Sequence, residues 1–477
     1  MRDDKGTQSL NVNISVENFG PIERADIDLR PLTIFVGESN TGKTYLATLI
    51  YALDRAFEGI SRVPFPESII LQLRQSRFRH KEGLDDDTYE MLTKLNTLDR
   101  VFLYADLPKW ICKHVLKIIN ESDVISNQLK ECYNLKSITD IRRYAKNNLS
   151  VSLKVYDKNQ SFWNFKLQNS ESCTQIDGYV NPELVIKSSQ QKVDKNMDLE
   201  DFGSLLRFPN YSESNSYFLP ASQIGIMETH GLITSSLVDR ATDIDMEHTS
   251  DKSTLTRILA DFLKHIINYG NNKATSSEVV VEIAKELENE VLRGEIKVLR
   301  PAGIGYPQIL YQPQNTEHAL RMSQSSSMVT GLAPLVLFLR GVVKPGDTLI
   351  IEEPESHLHP GAQTQVAITL AKLVRAGVRV IITTHSEWIL EQISNLVRIG
   401  EVKKKGENQT ELDYWLTADE VGTWWFHSEK SVEEINFDPI NGFEPIDYGE
   451  VAEGLYNQSV DLRTLLIEKT GDSTSGE

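Results

Sequence analysis

The sequence predicts an α/β fold around a parallel sheet, with a large insertion of mixed helical and β character. Three observations predict it. A short apolar run, Leu32-Thr-Ile-Phe-Val36, feeds a glycine-containing loop that opens a helix. Towards the other end, Thr348-Leu-Ile-Ile351, a helical stretch from Gly361 to Ala376 closed by Gly377, and Val378-Arg-Val-Ile-Ile-Thr383 make a strand–helix–strand unit. Such a unit implies parallel strands joined by a right-handed crossover. Between these two ends the patterning changes character, which marks the insertion.

Each element follows from its own pattern. Asn11 to Val16 alternates in strand fashion, a turn falls at Gly20-Pro21, and Ala25 to Leu29 alternates again. A helix begins near Thr44, with Leu46, Leu49, Ile50 and Leu53 at helical spacing. Helical patterns then dominate to about Asn148, followed by strand-like alternation in Val151 to Tyr156 and near Phe162 to Leu167. Ser216-Tyr-Phe-Leu219 reads as a short apolar strand. Two amphipathic helices follow, Thr254 to Tyr269 and Ser277 to Leu292, the second capped by Ser276 or Ser277. No segment sustains the three or four heptads that a coiled-coil arm needs.

Composition narrows the class. Hydrophobic residues at 40% and charged residues at 25% suit a soluble globular protein, and 477 residues exceed one simple core. Fifty Lys and Arg against 68 Asp and Glu leave a charge of −18, which argues against a surface that coats duplex DNA. A local basic groove stays open; Arg74, Arg77, Arg79 and Lys81 form either that or a solvated helix face. Cys112, Cys132 and Cys173 are too few and scattered for a disulfide framework or a zinc site. The polar stretch Met1 to Leu10 lacks a signal-peptide core, and no run of 18 apolar residues exists. A cytoplasmic protein that does not span a membrane is expected.

The chemistry sits in two places. Gly37-Glu-Ser-Asn40-Thr41-Gly42-Lys43-Thr44 fits the P-loop pattern G-x-x-x-x-G-K-[ST]. Its glycines allow amide groups to point at phosphate oxygens, and the helix N-terminus adds partial positive charge. Lys43 is expected on the β- and γ-phosphates of ATP and the Thr44 hydroxyl on Mg²⁺. An apolar strand then ends in carboxylates, Glu352-Glu353-Pro354-Glu355. Glu352 is assigned to the magnesium shell and Glu353 to the attacking water. Glu355, His357 and His359 are read as structural or interface residues rather than metal ligands, because histidines two apart do not share a helix face. His385 follows the next strand and can hydrogen-bond the γ-phosphate or order the water.

Taken together, GESNTGKT, Ser325-Ser-Ser-Met-Val-Thr-Gly-Leu-Ala-Pro334, LIIEEPESHLHP and IITTHS resemble the ABC-type ATPase heads of the RecF, SMC and OLD group. EEPESHLHP is similar to stand-alone bacterial ATPases of anti-phage defence, and the chain resembles the ATPase subunits of the PARIS and Septu systems. The resemblance implies a head made of 1–57, 205–235 and 295–477, an inserted lobe at 58–204, and a helical segment at 236–294. It also implies that Ser326 and Ser327 form a signature loop reaching a γ-phosphate on a second copy, with Met328 where the family has glycine. Gln223 falls where such heads place a magnesium- and water-sensing glutamine.

Two functions follow from the resemblance. One is a regulatory ATPase that forms a homo-oligomer, at least a dimer, through ATP and controls a separate effector protein, nuclease or toxin, on a phage protein trigger. The other is a RecF-like repair ATPase acting directly on DNA. The acidic charge favours the first, and the sequence names neither effector nor trigger.

Overall fold

The computed structural model of the chain describes residues 11–61, 101–103, 123–142, 148–157, 160–169, 174–180, 185–187, 215–242, 255–270, 276–301, 306–405, 414–427, 431–443 and 446–471. Period-two alternation sets its first layer. β1 (Asn11–Phe19) and β2 (Ile22–Leu29) bury Val12, Ile14, Val16, Ala25 and Ile27 on one face. They pair antiparallel with Ile14 opposite Ile27. β3 (Leu32–Gly37) is buried throughout, and α1 (Lys43–Ser61) follows the glycine loop.

β4 (Val101–Leu103), α2 (Asp123–Tyr133), β5 (Leu149–Asp157), β6 (Gln160–Asn169), β7 (Thr174–Val180) and β8 (Val185–Lys187) come next. β5 pairs along the second edge of β1, with Ile14 opposite Leu153. β6 and β7 extend the sheet to the order β2-β1-β5-β6-β7. Strands β5, β6 and β7 of the stretch 58–204 thus continue the sheet of β1 and β2. Val151, Leu153, Phe165 and Leu167 share one cluster with Val12, Ile14 and the buried side of α1. Without β5, that edge of β1 would leave a row of unpaired backbone groups.

β9 (Ser216–Leu219), α3 (Gln223–Thr242), α4 (Arg257–Asn268), α5 (Glu278–Leu287), β10 (Gly294–Leu299), β11 (Gln308–Pro313) and β12 (Leu320–Arg321) follow. After them come α6 (Ser327–Gly341), β13 (Thr348–Glu352), α7 (Pro360–Arg375), β14 (Arg379–Thr384), α8 (Glu387–Lys404), β15 (Val421–Phe426), β16 (Glu433–Ile435) and α9 (Ile446–Gly471). The central sheet runs β16-β15-β3-β14-β13-β9. Its strands from β15 to β9 are parallel, and β16 closes one edge antiparallel.

Both faces of this sheet are covered, as parallel sheets require. Phe35, Ile350, Ile381 and Phe426 pack towards α1 and the antiparallel sheet. Ile34, Val36, Ile351 and Ile382 pack towards residues of α3 to α8. The segment expected as separate at 236–294 belongs to this second cluster. α3 crosses its boundary, and Phe262, Leu263 and Ile266 of α4 with Val280, Ile283 and Leu287 of α5 lie inside.

Local chemistry moves several helix ends. α4 starts after Thr256, whose hydroxyl accepts from the Leu259 amide, rather than at Thr254. Ser277 caps α5 by accepting from the Val280 amide, but the α-helix stops at Leu287 and the chain loosens into a π turn over Glu288–Leu292. Buried Glu288 accepts from the Ile296 amide and from Arg340, which ties this turn to β10. The stretch with Arg74, Arg77, Arg79 and Lys81 lies outside the described residues, as do Cys112 and Cys173, whereas Cys132 is buried and unpaired. Among the described residues no helix is long and apolar enough to cross a membrane.

Candidate active site

The loop Gly37 to Thr44 turns between β3 and α1, and close packing dictates its glycines. Gly37 (φ +131°) and Gly42 (φ +109°) hold conformations that other residues rarely adopt. A Cβ on Gly37 would lie 1.9 Å from the Phe426 carbonyl oxygen, and one on Gly42 would lie 2.5 Å from Ile22 Cγ1. Asn40 is also left-handed at φ +64°, and the Thr41 hydroxyl donates to the Glu38 carbonyl at 2.8 Å. The buried Lys43 ammonium donates to the carbonyls of Gly37, at 2.9 Å, and Glu38. Burial pushes its pKa down to about 8, against the opposing fields of Glu353, Glu355 and Glu38.

The strand order brings the acids to this loop. β14 lies between β3 and β13, so the carboxyl ends of all three sit side by side, with Thr384 opposite Val36 and Glu352 opposite Thr383. Glu352 is 7% exposed. Its Oε2 accepts from the Ala221 amide at 3.0 Å, and the Thr44 side chain lies close to the carboxylate. Burial raises its pKa, and these two neighbours oppose the rise. Its Oε1 is buried with no hydrogen-bond partner, and so is Oε1 of Gln223, the first residue of α3.

Native structures seldom leave such oxygens unsatisfied. A carboxylate, an amide carbonyl and the Thr44 hydroxyl are hard oxygen donors that fit Mg²⁺. The donor set suits a hard cation bound jointly with phosphate, because the protein supplies only one carboxylate to it.

Glu353 sits on a strained turn at φ +44°. Its amide donates to the carbonyl of Thr383 at 2.9 Å and to the Thr383 hydroxyl oxygen at 3.2 Å. The side chain is half-exposed, with Oε2 accepting from Ser356 and Oε1 lying 3.8 Å from His385 Nε2. Burial and then the Lys43 charge hold the His385 pKa below the usual histidine value, against the field of Glu353 and the nearby Gly37 backbone. The shift favours the neutral imidazole.

Glu355 is the residue whose place the linear pattern did not reveal. Its Oε1 accepts from the His385 amide at 2.6 Å and from the Thr384 hydroxyl at 2.9 Å, which ties the β13 turn to the end of β14. Its Oε2 is buried without a hydrogen-bond partner. The available signal was a third acid placed so soon after an acidic pair. His359 caps α7 by accepting from the Gly361 amide, and His357 is exposed at φ +64°. Among the described residues no group of three His, Cys, Asp or Glu could hold a metal.

Lys43, Thr44, Glu352, Glu353 and His385 thus converge, and Gln223 opens α3 two residues after Ala221, whose amide holds Glu352. Among the described residues no hydrogen bond joins Ser326 or Ser327 to them. Both are exposed at the start of α6, where Ser326 is the cap and accepts from the Val329 amide. Met328 packs against the second core cluster, and its φ is not positive, so α6 needs no glycine there.

A glycine loop between a parallel strand and a helix, facing an acidic strand end, defines a P-loop nucleotide hydrolase. The chain belongs to the AAA ATPase domain family, which it matches over residues 12–390, and it is an ATP-hydrolysing enzyme. A search of the curated proteins finds no match. Among solved structures, it is similar to an SMC head bound to the C-terminal winged-helix domain of ScpA, at 11% identity and a TM-score of 0.41, covering 89% of this chain and 97% of that one. It is also similar to the SMC head domain from Thermotoga maritima, at 9% identity and a TM-score of 0.36, covering 90% and 99%. A third is the recombination mediator RecF with ATP, at 9% identity and a TM-score of 0.35, covering 89% and 99%.

Proposed function

We propose that this chain is a magnesium-dependent ATPase that pairs with a second copy through ATP and controls a separate effector protein in bacterial anti-phage defence. The observation that carries the enzymatic part is the buried, unpartnered oxygen of Glu352 beside Thr44, with a second such oxygen on Gln223. In this reading Lys43 and the loop amides hold the β- and γ-phosphates, with Gly37, Asn40, Thr41 and Gly42 shaping the loop. Thr44, Glu352 and Gln223 hold Mg²⁺, which when bound neutralises phosphate charge. Glu353, half-exposed on its fixed turn, takes the proton of the attacking water. His385, whose amide is tethered to Glu355, orders the γ-phosphate.

Pairing is supported by two exposed serines at a helix N-terminus, where amide groups and the helix dipole favour an anion. The defence role is supported by the resemblance of EEPESHLHP to defence ATPases and by the charge of −18, which suits protein partners better than nucleic acid.

The expected kinetics are specific. Glu353→Gln lowers kcat by about 10²–10⁴ while ATP still binds, and Lys43→Ala loses ATP binding. Hydrolysis by Glu353→Gln at the wild-type rate would remove that residue from the mechanism. For the biological role, the chain is expressed with its neighbouring genes and challenged with phage; undiminished protection by Lys43→Ala would overturn it.

A further inference from the structure

We infer that Tyr45, resting on the turn between β1 and β2, is the platform on which the purine base of the nucleotide stacks. This inference rests on the phosphate site proposed above. The direction of the ligand comes first. The γ-phosphate end is set by Glu353 and His385, which flank Lys43 at the ends of β13 and β14. In a P-loop the α-phosphate then lies at the first turn of the helix. The nucleoside must leave from that turn, on the side away from the acids.

Thr44 and Tyr45 diverge at that turn. Thr44 lies towards Glu352 on β13. The Tyr45 ring instead lies on Gly20, where a Cβ would stand 2.5 and 2.8 Å from ring atoms Cδ1 and Cε1. The same β1–β2 turn supports the phosphate loop, since Ile22 and Pro21 abut Gly42 at 2.5 and 3.7 Å from its Cβ position. One short turn therefore underlies both the last glycine of the loop and the tyrosine ring.

The ring is fixed rather than loose. Phe19 meets it edge-on at 6.3 Å, Tyr133 lies 5.5 Å away, and the Tyr133 hydroxyl donates to the Tyr45 carbonyl at 2.6 Å. Yet Tyr45 remains 39% exposed. A pinned aromatic face beside a triphosphate cradle is what a flat base stacks on with little entropy to lose. Phosphate contacts alone cannot tell ATP from inorganic triphosphate, so the ring supplies the recognition that the loop lacks.

The test measures binding of Mg-ATP and of Mg-tripolyphosphate to the full chain by calorimetry. The variants are Tyr45→Leu, which keeps apolar packing on Gly20, Tyr45→Phe, and Lys43→Ala. Tyr45→Leu is expected to weaken ATP about tenfold and Tyr45→Phe by less than about twofold, with tripolyphosphate unchanged in both. Lys43→Ala weakens both ligands. Equal loss of the two ligands in Tyr45→Leu, or no loss of ATP, overturns the platform while leaving the phosphate site standing. If the wild type binds neither ligand, the phosphate site itself fails and the platform falls with it.

Discussion

At Glu355 a single carboxylate oxygen accepts from the amide of His385 and from the hydroxyl of Thr384. Losing it frees the backbone that aims the imidazole, and a misplacement of about 1 Å near the reacting atoms can cost roughly 100-fold. We expect Glu355→Ala to lower kcat by about 10- to 100-fold with the KM for ATP nearly unchanged. Glu355→Gln should recover most of that loss, because its amide carbonyl still accepts. Steady-state kinetics on both variants decide it; a rise in KM with kcat intact would assign Glu355 to binding instead. The contrast with Glu353 is instructive. The adjacent acids were legible as a strand end, whereas the place of Glu355 depends on a hydrogen bond to a residue 30 positions away.

Among the elements, β13 carries a titratable group at its entrance. Asp347 is fully buried, and its two oxygens accept from the amides of Asn215 and Lys344, which lock the starts of β9 and β13 together. Burial raises its pKa to about 6, against those two bonds. A carboxyl whose folded pKa lies above its unfolded value binds more protons in the native state between the two values. Its stabilising contribution is therefore complete below about pH 4 and is lost as the pH rises through about 6, on the order of 3 kcal/mol. Denaturant unfolding of the wild type should lose stability relative to Asp347→Asn between about pH 4 and 7. A difference that stays flat across that range would contradict it. Element ends were less legible than element types. The helix expected from Ser277 to Leu292 begins where its cap predicts, but buried Glu288, bonded to β10 and α6, converts its last turn to a π turn. The helix α9 was not foreseen at all, although Leu455, Leu462 and Leu466 stand at helical spacing in it.

For the molecule as a whole, the exposed Ser326 and Ser327 lead to a prediction about assembly. With Mg-ATP, Glu353→Gln should elute as a dimer, at about twice 54.0 kDa, and revert to monomer without nucleotide. Adding Ser327→Glu should block pairing, since an acid at a helix N-terminus spares the helix but repels phosphate. Light scattering reads the mass; a monomer under all conditions, or a dimer indifferent to Ser327→Glu, would defeat the pairing. Contiguous residues determined the local features on their own: GESNTGKT makes a glycine loop between strand and helix and LIIEE an acidic strand end, because backbone freedom and hydropathy act over a few neighbouring positions. The tertiary structure decided which distant pieces meet. Pairing of β14 between β3 and β13 set the acids beside the loop, β5 completed the edge of β1, and the loop after β9 brought the Ala221 amide to Glu352. Strand partners far apart in sequence are selected by burial of both sheet faces and by satisfying open edges, and no local pattern encodes those choices.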